Sequence, residues 1–182
     1  MLKLLIITDD FTGALDTGIQ FTKQGVKIQI AVEQNPENIS ISDSTQVLVI
    51  DLETRPLTAQ QAYEIVKYVM IWAKRKNIDY IYKKTDSALR GNVGAELKAV
   101  SDVYKECVYF IPAFPKIGRI TKNGNHYINN VLLSETAFAK DPFEPVKHSH
   151  MKDIITKEYT NIEVCCVEKQ IQIKDYLHKI EQ

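Results

Sequence analysis

Short apolar runs alternate with helical stripes along most of the chain. Leu4-Leu5-Ile6-Ile7 is a strand-length run that stops at Asp9-Asp10. From Thr12 to Gln24 the apolar positions Ala14, Leu15, Ile19 and Phe21 take up helical spacing, with Thr12 as a candidate cap and Gly25 suited to the closing turn. Lys27 to Val32 reads as a second strand, and Asn35-Pro36 opens a loop. Gln46 to Leu52 is apolar almost throughout, as in a strand covered on both faces. Thr58 to Lys76 carries a stripe at Ala62, Ile65, Val66, Val69 and Ala73, so a helix capped by Thr58 is expected. Tyr80 to Tyr82, a helix from Asn92 to Tyr104, and a fifth strand from Cys107 to Ile111 continue the alternation.

Strands alternating with helices predict an α/β fold: a mostly parallel, Rossmann-like sheet with helices on both faces. After Pro112 the texture changes. Pro115, Gly118 and Gly124 punctuate a long loop, and Tyr127 to Leu133, with Asn129-Asn130 inside it, reads as a small hairpin excursion. A short helix from His150 to Lys157, a late strand from Ile162 to Val167 and a last helix from Lys174 complete the pattern. The chain has 182 residues, enough for one good core, so residues 1–182 are read as a single domain.

Composition narrows the function. Lys and Arg total 23 and Asp and Glu total 23, a balance that exerts no global pull on nucleic acid or an acidic membrane. Any anion selectivity must come from a local cluster. No stretch approaches the ~20 apolar residues of a membrane helix, and the first apolar run is too short for a signal peptide. A cytoplasmic protein is expected. Cys107, Cys165 and Cys166 form no CxxC pattern, and adjacent Cys165 and Cys166 make a poor disulfide pair.

Ligands of open parallel sheets bind beyond the carboxyl ends of the strands. Three polar clusters fall there. Asp9-Asp10 follows the first strand, and two adjacent acids need a cation, a lysine or a substrate hydroxyl beside them. Arg55 follows the third strand; as the residue before Pro56 it stays out of the next helix. It reads either as a solvated loop arginine or as a bidentate clamp on a carboxylate. Lys84, Thr85, Asp86, Ser87, Arg90, Gly91 and Asn92 follow the fourth strand. Bunched donors before a helix start make an anion site, the alternative being that Asn92 caps the helix while the charges face water. There is no P-loop, no GxGxxG and no serine nucleophile elbow. His148-Ser149-His150 lacks a nearby third ligand, so no metal is assigned. His126 and His178 carry no local signal.

Three segments in order, DDFTGALDTGIQF from Asp9, KKTDSALRGNVGAEL from Lys83 and PAFPKIGRITKNGNHYINNVLLSETAFAKDPFEPV from Pro112, together with Ser149-His150, resemble the four-carbon acid sugar kinases. The resemblance runs from the first strand to about His150. It implies ATP- and Mg2+-dependent phosphorylation of a threonate, an erythronate or a 3-oxo-tetronate. It also implies two domains, an N-terminal one for the sugar acid and a C-terminal one for ATP. Substrate contacts then map to Asp9, Asp10, Arg55 and the segment Lys84 to Asn92. Arg55 and Arg90 would bind the carboxylate, while Asp10 and Asp86 would hold hydroxyls, one of them as base. Ala88 stands where the family usually has threonine, a departure expected to touch substrate choice.

This chain alone is expected to bind neither ATP nor Mg2+ and to be inactive, because the nucleotide-binding domain does not follow before Gln182. Its partners would be the small sugar acid and that C-terminal domain, in cis or in trans, with a homodimer left open. Two other readings stand beside this one: a free-standing sugar-acid binding module, and a subunit of a split kinase. Arg119, Thr121 and Lys122 lie on the glycine-punctuated loop, which reads either as a flap over the cleft or as a surface excursion.

Overall fold

The structure is a computed structural model that describes residues 2–167. Four strands, β1 (Leu4–Thr8), β2 (Ile28–Val32), β3 (Val47–Asp51) and β4 (Tyr80–Lys83), form a parallel sheet in the order β2-β3-β1-β4. Its cross-section follows from the two-residue strand period. Leu5, Ile7, Leu48 and Ile50 face helices α2 (Ala59–Arg75) and α3 (Val93–Tyr104), where Val66, Met70, Trp72 and Ala99 cover them. Leu4, Ile6, Val47 and Val49 point the other way, onto Ala14 and Phe21 of α1 (Phe11–Thr22). All five β3 residues are buried, which accounts for the unbroken apolar run.

This arrangement creates the crevice. The β1 connection leads to a helix on one face, whereas the connections of its neighbours β3 and β4 lead to helices on the other. Pairing aligns Thr8 with Asp51 and Ile7 with Lys83, so the three carboxyl ends finish level. Loops leaving such a switch point diverge and leave room for a ligand.

Helix starts differ in detail from the sequence reading. Asp10, and not Thr12, caps α1, its Oδ1 accepting the Gly13 amide at 2.8 Å. Both residues carry a capping oxygen, and the one nearer the strand end wins. Thr58 caps α2 as expected, in a reciprocal box with Gln61.

The excursion is larger than one hairpin. β5 (Arg119–Lys122), β6 (Asn125–Ile128) and β7 (Val131–Leu132) form a three-stranded antiparallel sheet. Its turns are Asn123-Gly124 (φ 51° and 72°) and Asn129-Asn130 (φ 51° and 67°), both with the paired positive φ of tight hairpins. The Asn123-Gly124 turn is a strong hairpin signal that the sequence reading passed over. Ala88, Leu89, Val93, Ile128, Leu133, Met151 and Ile154 make the core that joins this sheet, and helix α4 (Met151–Ile155), to the main body.

Two expected strands do not pair. Cys107–Ile111 runs along the β4 side of the domain without a ladder; Val108 and Phe110 turn inward onto the cores, while Tyr109 and Ile111 are exposed. Side-chain packing holds this segment, so apolar alternation did not translate into sheet. Ile162–Val167 likewise contributes Ile162 and Val164 to packing and forms no ladder. The helix expected from Lys174 lies outside the described residues.

Candidate functional site

The three polar clusters converge at the carboxyl edge of the sheet. The Arg55 guanidinium is the hub. Its Nε donates to Asp9 Oδ2 at 2.9 Å, and its Nη1 lies 2.8 Å from Asp10 Oδ2. One arginine thus separates the two adjacent carboxylates and answers the crowding that the sequence raised. Burial works against the Arg55 charge, but the hydrogen bond and field of Asp9, aided by Asp86 and Asp10, outweigh it and hold the guanidinium above its ordinary range. Its Nη2 donates to no described residue. Asp9 Oδ1 is buried without a hydrogen-bond partner. An acceptor in that state costs free energy.

Backbone geometry packs the clusters together. Gly91 has φ 81°, and a β-carbon there would stand 3.0 Å from Arg55 Cγ and 3.3 Å from its Cα. A β-carbon at Gly13 would lie 3.7 Å from Lys84 Nζ, so the lysine head sits over the start of α1. Asn92 is the residue before α3, but its side chain does not cap that helix. Its amide instead donates to the Thr54 and Leu57 carbonyls at 2.9 and 2.8 Å. It holds the Arg55 loop in place from beneath.

In the Lys84–Asn92 loop, Asp86 and Arg90 form a bidentate pair, Nε to Oδ2 at 2.6 Å and Nη2 to Oδ1 at 3.3 Å. Burial raises the Asp86 pKa, yet the hydrogen bond and charge of Arg90, with the field of Arg55, bring it below the usual value. Arg90 also reaches Asp141 at 3.3 Å and lies over the Phe138 ring, so the excursion grips this loop. The Thr85 and Ser87 hydroxyls bond to no described residue, which leaves both as donors and acceptors for a ligand. A cavity of about 1200 Å³ is lined by Lys84, Thr85, Ser87, Tyr82, Val108 and Phe110, while Arg55, Asp9, Asp10, Asp86 and Arg90 lie outside its walls. Ala88 is 1% exposed in the apolar core of the excursion. A hydroxyl there would meet packing, not the cleft, contrary to the expectation for this position.

Several residues that organise the site carry no obvious signal in the sequence. Glu96, in the first turn of α3, is fully buried; it accepts from Thr54 Oγ1 and pairs with Lys83 Nζ at 2.9 Å. Burial raises its pKa, with the field of Asp9 adding to the effect and Lys83 and Thr54 opposing it. Glu96 therefore links the loop after β3 to the end of β4 below Arg55. Asp141 and His126 tie the excursion to the loop after β4. Arg119 stacks on Phe138, while Thr121 bonds to His126. Among the described residues no three His, Cys, Asp or Glu side chains gather as a metal site, and no helix is long and apolar enough to cross a membrane.

The fold is an α/β domain whose arginine, lysine, carboxylates and unpaired hydroxyls gather at a topological switch point. Residues 4–181 match the sugar-binding N-terminal domain family, and the chain belongs to it. D-threonate kinase of Salmonella typhimurium is 36% identical over 158 residues, which are 85% of this chain and 36% of that enzyme. D-erythronate kinase of Heliobacterium modesticaldum is 29% identical over 160 residues, 87% of this chain and 36% of the enzyme. A Bordetella bronchiseptica domain, solved as a domain-swapped dimer with bound citrate, superposes with a TM-score of 0.81 at 27% identity, covering 98% of this chain and 46% of that one. The chain spans less than half the length of the relatives it matches.

Proposed function

We propose that this chain is the substrate-binding part of an ATP-dependent kinase acting on a four-carbon sugar acid: a threonate, an erythronate or a 3-oxo-tetronate. The observation that carries the reading is the meeting of Arg55, Lys84 and Arg90 with Asp9, Asp10 and Asp86 around unpaired hydroxyls at one sheet edge. A sugar acid presents one carboxylate and several hydroxyls. Arg55 Nη2 and Lys84 supply positive charge for the carboxylate, with Arg90 behind them. Asp10 and Asp86 accept from sugar hydroxyls, and Thr85, Ser87 and the Gly91 backbone line the ligand. Asp10, which caps α1 and braces Arg55, is positioned to orient the hydroxyl that receives phosphate.

In phosphoryl transfer the protein mainly positions groups and neutralises charge. Here the chain's share is holding the sugar acid. Mg-ATP belongs to a C-terminal nucleotide-binding part, in cis or in trans, consistent with relatives more than twice this length. Alone, the chain binds substrate and transfers no phosphate. The Bordetella relative was solved with bound citrate as a domain-swapped dimer, and its dimer supports a homodimer for this chain. The setting is cytoplasmic metabolism.

Thermal unfolding of the chain against D-threonate, D-erythronate and 3-oxo-tetronate, with and without Mg-ATP, tests the reading. A ligand at about 100 times its Kd stabilises by about 2.7 kcal/mol. One acid should raise the midpoint and Mg-ATP should not. A chain that responds to Mg-ATP and to no acid overturns the proposal.

A further inference from the structure

His126 has no role in the reading above, yet it is wholly buried and uses both ring nitrogens. Nε2 lies 3.0 Å from the Ser87 carbonyl oxygen, and Nδ1 lies 3.1 Å from Thr121 Oγ1. A carbonyl only accepts, so Nε2 carries the proton; Nδ1 is then bare, and the Thr121 hydroxyl donates to it. Burial, with the charge of Arg119, holds the imidazole below its ordinary pKa against the Ser87 hydrogen bond, in keeping with a neutral ring. The geometry has a local origin. The Asn123-Gly124 turn sets the β5–β6 register, and that register places Thr121 opposite His126.

The other end of this contact is the ligand loop. Leu89 (φ 57°) and Gly91 (φ 81°) both take left-handed backbone two and four residues beyond Ser87. Leu89 has a β-carbon, so its conformation persists only if the surroundings impose it. Arg90 also clasps the excursion through Asp141 and the Phe138 ring, and Ala88 and Leu89 pack into its core. His126 reaches the Ser87 carbonyl from a fully buried ring.

We propose that His126 is a positioning residue. By donating from Nε2 to the Ser87 carbonyl, it fixes the peptide that presents the Thr85 and Ser87 hydroxyls and the Asp86–Arg90 pair to the ligand. The ligand part of this statement rests on the sugar-acid reading; the loop-ordering part does not.

The test uses His126→Ala, His126→Gln and Thr121→Val in the full chain, at a temperature where circular dichroism shows each variant folded. Glutamine can donate from its own Nε2, and alanine cannot. In ligand-free protein, amide exchange of Leu89 and Arg90 should accelerate in His126→Ala by roughly tenfold, the scale of one buried hydrogen bond, and return toward wild type in His126→Gln. With D-threonate and D-erythronate as probes, Kd should weaken by a similar factor in His126→Ala and recover in His126→Gln. Imidazole 15N shifts should report the Nε2–H tautomer in wild type and keep it in Thr121→Val, where the Ser87 carbonyl still accepts from Nε2. Unchanged loop exchange in folded His126→Ala, or an Nδ1–H or cationic ring at neutral pH, overturns the proposal. If exchange responds but D-threonate, D-erythronate and 3-oxo-tetronate all fail to bind wild type, positioning stands and the sugar-acid reading fails.

Discussion

Replacing Arg55 by alanine probes the hub of the site without any ligand. In the wild type, Asp9 and Arg55 side chains are 3% and 16% exposed, and Asp10 is 25% exposed. Removal of the guanidinium leaves Asp9 buried, with neither carboxylate oxygen paired to a cation and Oδ1 already without a partner. Breaking a buried pair by deleting one member costs about 3–5 kcal/mol. Water can enter the space that Arg55 vacates toward the cleft, so the low end, about 3 kcal/mol, is expected. For a chain of this size each kcal/mol lowers Tm by about 2–4 °C, giving a fall of roughly 6–12 °C. Urea and thermal unfolding by circular dichroism at pH 7.5 measure it. The double variant Arg55→Ala/Asp9→Asn removes the stranded charge and should recover at least about 1 kcal/mol relative to the sum of the single variants. A loss below about 1 kcal/mol in Arg55→Ala, or strict additivity in the double variant, would refute the buried-pair argument.

Three further outcomes follow from other parts of the molecule. Asp51 is fully buried, and burial first, then the hydrogen bond and charge of Glu53, push its pKa up to about 6 from 3.8. Its contribution is therefore present below about pH 4 and lost as pH rises through about 6, at most about 3 kcal/mol. Asp51→Asn, which keeps the oxygen that accepts from Thr8 and Glu53, should flatten that slope and raise Tm at pH 8; a steeper slope in unfolding measured from pH 4 to 8 would contradict this. Gly94→Ala would place a β-carbon 2.1 Å from the Ile155 carbonyl oxygen, so it should separate α3 from α4 and destabilise by more than about 2 kcal/mol in urea, against an ordinary helical gain of up to about 1. Thr58→Ala removes a capping box and should cost about 1 kcal/mol while leaving sugar-acid affinity unchanged by calorimetry.

Much of this architecture is legible in the sequence, and the gaps have physical reasons. The apolar run ending in β3 is buried on both sides, and burial of that kind writes itself into composition. The α2 stripe and its cap are local features, as is the Asn129-Asn130 turn. Strand pairing is not local. Cys107–Ile111 has the right residues for a strand, but whether it joins β4 depends on how α3 returns the chain, and here packing through Val108 and Phe110 prevails. Polar clusters at strand ends were legible because topology fixes where such ends meet. Their internal pairing was not: Arg55 to Asp9 and Asp10, and Arg90 to Asp86 and Asp141, are decided by tertiary distances. Glu96 reads in sequence as an ordinary acid near a helix start, and His126 as one histidine of four; only burial and partners distinguish them.

The central claim is that a four-carbon sugar acid sits between the β1, β3 and β4 loops. Mapping backbone amide shifts while D-threonate or D-erythronate is titrated into the labelled chain tests it most directly. The account predicts saturable changes concentrated at Asp10 to Gly13, at Thr54 and Arg55, and at Lys84 to Asn92, lost in Arg55→Ala. Saturable changes confined to the Cys107–Ile117 side of the cavity, or none with these acids or with 3-oxo-tetronate, would contradict it.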